Sequence, residues 1–251
     1  MEEAAAKGHF LFLNSGRSFA NIPKTLLEFT FLKGIAAGGG AHVLLTEAAR
    51  TGFPTDRMSD FSQTASCYQT IYHKWVSEEV LEVIFTWYGK QKDFCILEGE
   101  RDCYIINPSP PFPLRMPKDP VPVNSLDDFK RKSSGDRITK VTLDGFASED
   151  ECRLLEPFFR VNSFSEYSEA IIKGENKGKA MVFILNTLGI GREDSIAIGD
   201  SANDLDMFHA AGLSVAMGNA SDGVKAAAGA VTADCGKGGV AEALRKFVLR
   251  Q

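Results

Sequence analysis

Two carboxylates four residues apart, Asp200 and Asp204 in Gly199-Asp200-Ser201-Ala202-Asn203-Asp204, carry the strongest chemical signal in the chain. A short apolar run, Ser195 to Ile198, precedes them, and a helix-like stretch, Ala202 to Ala211, follows. Carboxylates at a strand-to-helix junction can be aimed at one point. There they suit Mg²⁺, a hard cation that keeps several waters and also binds phosphate oxygens. An ordinary helix cap uses the same spacing, with Asp204 favoured by the helix dipole, and on spacing alone the two readings are even. Ser15-Gly16-Arg17 offers a hydroxyl and adjacent backbone N–H groups at the end of a strand-like run, His9 to Asn14. Such a group can hold a phosphoryl group, although taken alone it is no more than a turn. Lys177 opens a helical pattern after Gly174-Glu175-Asn176 and can neutralise phosphate charge; a solvated surface lysine is the commoner occupant of such a position. Gly174 to Lys179 is not a P-loop: its spacing is one residue short, and Ala180 stands where Ser or Thr is required.

These residues need elements to position them. Glu2 to Lys7 reads as the end of a helix stopped by Gly8, and His9 to Asn14 as a short buried strand. A short helix around Pro23 to Phe29 and a second strand, Gly34 to Val43, complete the strand–helix–strand order of a parallel sheet. The middle differs. Ser77 to Lys90 has helical spacing, Asp93 to Glu98 and Cys103 to Ile106 are strands, and Pro108 to Pro122 is loop. Ile138 to Leu143 is a strand, Ser148 and Glu151 form a capping box opening a helix to about Phe159, and Val161 to Ile172 is a strand or strand pair. α/β character then returns. The helix Lys177 to Leu188 turns Met181, Ile184, Leu185 and Leu188 to one face and stops at Gly189. Strands at Ser195 to Ile198 and Leu213 to Met217 and a closing helix, Val240 to Leu249, follow. The predicted fold class is α/β, a Rossmann-like parallel-sheet core over residues 1–70 and 171–251 with an α+β domain, 71–170, inserted in it.

Composition narrows the function classes. With 251 residues, 44% hydrophobic and 24% charged, the chain has the make-up of a soluble globular protein. A net charge of −5 without a long basic run argues against nucleic acid and anionic membrane as partners. No apolar run is long enough to span a bilayer, and Met1 to Lys7 has no apolar signal core. Five cysteines without C-x-x-C spacing read as free thiols of a reducing cytoplasm. His9, His42, His73 and His209 are scattered and suggest no metal site; Trp75, Trp87, Phe158 and Phe159 read as core of the inserted domain.

The order Ser15-Gly16-Arg17-Ser18, an α+β insert, Lys177-Gly178, then Gly199 to Asp204 resembles the haloacid dehalogenase superfamily, and within it the Cof-type sugar-phosphatase group, whose insert is a cap. The stretch Asp194 to Asn219, ending Val215-Ala216-Met217-Gly218-Asn219-Ala220, is especially similar to that group, and the resemblance covers nearly the whole chain. It implies a Mg²⁺-dependent phosphatase of a small phosphorylated metabolite, a sugar phosphate. By that resemblance Ser15 and Gly16 hold the phosphoryl group, and Lys177 counters its charge. Asp200 ligates Mg²⁺ with Asp204 supporting it directly or through water. Asn203 and Asn219 line the phosphate site, and Arg17 braces the loop.

The same resemblance expects an Asp-x-Asp-Gly-Thr motif upstream of the serine motif, its first aspartate the nucleophile and its second the general acid and base. Here the first aspartate is Asp56, so the core is expected to be incomplete at its N-terminus. Thr142-Leu143-Asp144-Gly145 puts threonine where the nucleophile belongs, and Asp204-Leu205-Asp206 is followed by Met207. A lost βα half-unit of roughly 20–30 residues should leave its neighbouring strands without hydrogen-bond partners. A shortened chain or misplaced start codon is the expectation, with little or no turnover by residues 1–251. The rivals are a pseudoenzyme that binds a phosphorylated metabolite without turnover and a fragment completed by another chain. Substrate identity and oligomeric state are left open.

Overall fold

The computed structural model describes residues 1–50, 63–64, 68–108 and 116–250. Cys67, Asp56 and residues 109–115 of the expected Pro-rich loop lie outside the described residues. Three sheets organise the described residues. The first orders Leu11–Asn14 (β1), Leu32–Ala37 (β2), His42–Thr46 (β3), Gln63–Thr64 (β4) and Tyr68–His73 (β5) as β1-β2-β3-β5-β4. The second takes Cys95–Glu98 (β6), Cys103–Ile106 (β7), Val121–Pro122 (β8), Lys140–Asp144 (β9), Phe159–Ser163 (β10) and Tyr167–Ile172 (β11) in the order β10-β11-β9-β6-β7-β8. Ile196–Gly199 (β12), Leu213–Ala216 (β13) and Ala230–Val231 (β14) form the third.

Parallel pairing holds in β1–β2 and throughout the third sheet. The expected single strand Gly34 to Val43 is instead two antiparallel strands, β2 and β3, joined through Gly38-Gly39-Gly40. All three glycines have positive φ, so the run read as a glycine-ended strand is a tight reversal. Among the described residues β1 pairs only with β2 and β12 only with β13, and their side chains are mostly half-buried.

The helix Lys177–Leu188 spans the first and third sheets. Asn176 caps it by accepting from the Lys179 N–H at 2.7 Å, and Gly189 ends it in the left-handed region at φ 64. Ala180, Ile184 and Leu188 pack on Ala36, Val43 and Leu45, while Met181 reaches the cluster around Ala197, Met207 and Ala216. Gly178 is needed because a Cβ there would run into the Asp206 carbonyl of the helix Leu205–Ala210.

The second sheet has two unlike faces. One buries Cys95, Leu97, Tyr104, Val141, Leu143 and Ala170 against the helices Glu78–Tyr88, Leu126–Ser133 and Glu149–Leu155. The Ser148–Glu151 capping box forms as expected, but its helix stops at Leu155, and Phe159 already begins β10. The period of two turns Glu98, Lys140, Thr142 and Glu169 to the opposite face. Val121–Pro122, expected as loop, pairs with β7. Ala202 to Ala211 is a 3₁₀ turn, Ala202–Asp204, followed by a separate helix, Leu205–Ala210. Trp75 is not core: it is 48% exposed, with the Arg137 guanidinium 4.5 Å from its ring centre. No helix among the described residues is long and apolar enough to cross a membrane.

Candidate functional site

Ser15-Gly16-Arg17 leaves the C-terminal end of β1 and is clamped by the glycine reversal. The Ser15 N–H donates to the Ala36 carbonyl at 2.8 Å, Gly39 donates to the Ser15 carbonyl at 3.1 Å, and Gly38 to that of Arg17 at 2.7 Å. The Ser15 hydroxyl accepts from the Arg17 N–H at 3.1 Å, which fixes a serine turn. Arg17 bonds both the Asn21 carbonyl and its side chain, in keeping with a bracing part. Gly40, at φ 102, lets the loop lie against the Asn176 carbonyl, where any Cβ would collide. The glycine run thus brings the start of the helix Lys177–Leu188 beside Ser15.

Lys177 is nearly buried, its side chain 10% exposed, and its Nζ donates to Asp204 Oδ1 at 2.6 Å and to Asn203 Oδ1 at 3.1 Å. Asn14 donates through Nδ2 to the Lys177 carbonyl at 2.9 Å and ties β1 to the helix start. The second Asp204 oxygen accepts from the Asp200 N–H, the Ser201 N–H and the Ser201 hydroxyl at 3.0, 3.0 and 3.1 Å. Burial works to raise the Asp204 pKa. The Lys177 charge, its hydrogen bond and the two backbone donors outweigh that and hold it below the usual carboxylate value. Gly199 is fixed by the same carboxylate, which occupies the space its Cβ would need.

Asp200 is exposed, and Asn219 donates to its Oδ2 at 2.9 Å while accepting from the Cys235 N–H at 2.9 Å. Among the described residues Asp200 Oδ1 therefore has no hydrogen-bond donor. Among the described residues Asn203 Nδ2 likewise has no acceptor, and a methyl group on Gly16 would stand 3.7 Å from it. The structure thus joins Lys177, Asn203 and Asp204 through direct hydrogen bonds and sets Gly16 of the Ser15 loop beside Asn203, with Asp200 and Asn219 bonded to each other in the Asp204 loop. As a metal site the fit is partial. Asp200 has a free hard oxygen, whereas Asp204 is spent on Lys177 and the loop amides. No group of three or more His, Cys, Asp or Glu among the described residues is arranged to hold an ion.

Sequence reasoning missed Glu169. Its Oε2 also lies 3.7 Å from a methyl on Gly16, and its Oε1 accepts from Lys140 at 2.6 Å. It missed as well the stacked pair His42 and His73, with ring centres 4.0 Å apart, because the two lie on β3 and β5. The signal for Glu169 was there: Lys140 and Thr142 alternate with Val141 and Leu143, and Glu169 sits between Ser168 and Ala170.

The model of the haloacid dehalogenase-like hydrolase family matches residues 1–244. The chain belongs to that family. Among curated haloacid dehalogenase relatives it is similar to a phosphoglycolate phosphatase of Nitrosopumilus maritimus, 36% identical over 128 residues, 49% of this chain and 55% of that protein. It is also similar to the 5-amino-6-(5-phospho-D-ribitylamino)uracil phosphatase YcsE of Bacillus subtilis, 43% identical over 88 residues, 35% of each. The chain thus spans about half or less of the curated relatives it matches. A haloacid dehalogenase-like hydrolase structure from Bacteroides thetaiotaomicron aligns over 98% of this chain and 89% of its own at TM-score 0.75 and 23% identity. A subclass IIB sugar phosphatase aligns over 98% and 88% at TM-score 0.74 and 24% identity, a likeness of fold.

Proposed function

We propose that this site handles the phosphoryl group of a small phosphorylated metabolite, a sugar phosphate, in a Mg²⁺-dependent phosphatase chemistry that runs through an aspartyl-phosphate. The observation that carries this reading is the Lys177 ammonium, nearly buried and held by Asp204 and Asn203, with the Asn203 amide 3.7 Å from where a Cβ on Gly16 would stand. A cation held there needs no reorganisation when a dianion arrives. Ser15 and the Gly16 backbone would receive phosphoryl oxygens, and Asn203 Nδ2 would donate a further hydrogen bond. Asp200, oriented by Asn219, would hold Mg²⁺; Asp204 would support it by shaping the loop. The ion, when bound, would supply positive charge against the phosphoryl oxygens.

In this chemistry an aspartate carboxylate attacks phosphorus, and a second carboxyl group protonates the departing oxygen and then activates water. Residues 1–55 contain no aspartate. We therefore infer that residues 1–251 by themselves bind the phosphoryl group and turn it over little or not at all. We take residues 71–170 as the cap that covers the site and 1–70 with 171–251 as its core.

The test is calorimetric titration of inorganic phosphate into the protein with Mg²⁺, paired with a turnover assay on small phosphomonoesters. Binding that weakens at least roughly tenfold in Lys177→Met, as loss of a charge-assisted hydrogen bond requires, supports the reading. Equal affinity in the variant would overturn it. Turnover at about 1 s⁻¹ or faster would overturn the expectation of inactivity and leave the phosphate site standing.

A further inference from the structure

One side chain ties the Ser15 loop to Lys177. Asn14 closes β1 and immediately precedes Ser15, and its Nδ2 donates to the Lys177 carbonyl at 2.9 Å, across 163 positions of sequence. The same nitrogen lies 3.5 Å from Met207 Sδ. The nitrogen must be the end that faces Lys177. Turned over, the amide would set its oxygen against a carbonyl oxygen and a thioether, both of them acceptors.

The position itself suits an apolar side chain. Alternation along β1 sends Leu11 and Leu13 to one face and Phe12 and Asn14 to the other. Leu13 packs against Phe19 and Ile22, whereas Phe12 packs against the cluster of Ala180 and Ile184 on the helix Lys177–Leu188. Asn14 shares the face of Phe12, and its Oδ1 is buried without a hydrogen-bond partner among the described residues. Such an oxygen destabilises the folded chain. Nor does the bond that Asn14 makes relieve an orphan. In a helix the carbonyl of the first residue already accepts from the N–H four residues on. Asn14 therefore leaves one buried polar atom unsatisfied and brings a second donor to an oxygen that has one. On stability alone a leucine would serve as well or better.

What the bond does is fix a position. The Ser15–Arg17 loop is held by β2 and the glycine reversal, and the Lys177 ammonium by Asp204 and Asn203. Lys177 stands at the joint, its backbone bonded to β1 and its side chain to the loop after β12. We propose that Asn14 is a positioning residue for phosphate binding. It pins the first turn of the helix to the end of β1 and so sets where the Lys177 ammonium stands relative to Ser15 and Gly16. This rests on the phosphate-binding reading of Ser15, Gly16 and Lys177. A misplacement of about 1 Å is enough to cost a site much of its effect, which is why a buried unsatisfied oxygen is tolerated here.

Asn14→Leu separates this role from a structural one, because the two move stability and affinity differently. The variant is expected to unfold in urea at the midpoint of the unmodified protein or above it, since it removes the unsatisfied oxygen. Its affinity for inorganic phosphate, titrated calorimetrically with Mg²⁺, is expected to fall at least about fivefold, the worth of one ordinary hydrogen bond. With lysine isotopically labelled at its ε-carbon, the NMR signal of Lys177, assigned by its loss in Lys177→Met, is expected to move in the variant before any phosphate is added. Should leucine not fit, the smaller Asn14→Ala is expected to weaken phosphate binding and to move the Lys177 signal alike. Unchanged phosphate affinity in a folded variant overturns the positioning role. A lower urea midpoint with an unmoved Lys177 signal overturns it as well, being the mark of a merely structural asparagine. No phosphate binding by the unmodified protein overturns the site itself, a distinct failure that leaves the Lys177 signal to report on Asn14.

Discussion

Two lysines meet carboxylates, one in the core and one on the second sheet, and the two clusters are built in opposite senses. In the core Lys177 faces one carboxylate, Asp204, whose other oxygen is saturated by loop amides; the lysine keeps a link to Asn203 and to whatever enters the loop. On the second sheet Lys140 faces two carboxylates and is consumed by them, and Glu169 Oε2 has no hydrogen-bond donor among the described residues. The first cluster presents positive charge, the second an acceptor.

The sharpest way to break the comparison is to remove each lysine in turn. Lys140→Met leaves Glu98 and Glu169 buried without their cation and is expected to cost about 3–5 kcal/mol. Lys177→Met leaves Asp204 with the Asp200 and Ser201 N–H groups and the Ser201 hydroxyl, so roughly 1–3 kcal/mol is expected, nearer an ordinary lost hydrogen bond. Urea midpoints of the two variants measure this. Equal losses would mean that the second carboxylate on Lys140 carries no weight.

The join between the two regions titrates. His42 and His73 stack where β3 and β5 end, and Lys74 and Val76 then bond to Ala41 and Ile138. Burial, with Arg137 nearby, holds His73 down to about 4; burial, with His73 and Arg137, holds His42 well below its usual value. Three of the four ring nitrogens are buried without partners, and His42 Nε2 meets the Thr70 hydroxyl at 2.8 Å. The unfolded chain takes up protons near pH 6.5, and the folded one does not until about 4. Stability is therefore present above that window and falls as pH drops through it, by about 3 kcal/mol for His73. Melting curves from pH 7 to 4.5 should show a smaller drop in His73→Phe, which keeps the stack. Identical slopes would remove the histidines as the cause.

What could be read from the sequence divides along the same line. The helix Lys177–Leu188 was legible to the residue because Asn176 and Gly189 are local signals, and Gly199 to Asp204 because its carboxylates share one loop. The turn at Gly38-Gly39-Gly40 was not, since its glycines also suit the end of a strand. Glu98, Lys140 and Glu169 come from three strands whose meeting is set by register, and His42 and His73 from two. The core cluster is built from neighbours in sequence and from one helix start; the second cluster exists only after the sheet forms.

Local capping offers a milder comparison. Ser148 accepts from the Glu151 N–H at 3.2 Å while Glu151 accepts from the Ser148 N–H at 2.9 Å and also from the buried Tyr88 hydroxyl. Ser148→Ala is expected to cost about 1 kcal/mol in a urea melt and to leave inorganic phosphate affinity unchanged, because this helix lies on the far face of the second sheet. A change in phosphate affinity would show that the two faces are coupled.

The smallest effect should come from the most visible bridge. Arg160 on β10 meets Asp206 on the helix Leu205–Ala210 at 3.3 Å, an ion pair that spans the second sheet and the core. Both side chains are well exposed, 45% and 39%, so water and salt screen the pair, and about 0.5 kcal/mol or less is expected from it. The buried connection is Glu98 with Ser18 and Asn21, where burial would raise the Glu98 pKa but Lys140, Thr142 and Asn21 together hold it low. Arg160→Ala should leave the melting temperature within a degree or so, about what 0.5 kcal/mol or less produces in a chain of this size. Glu98→Gln should lower it by several degrees. A large loss in Arg160→Ala would reverse this ranking and make the exposed pair the one that holds the second sheet to the core.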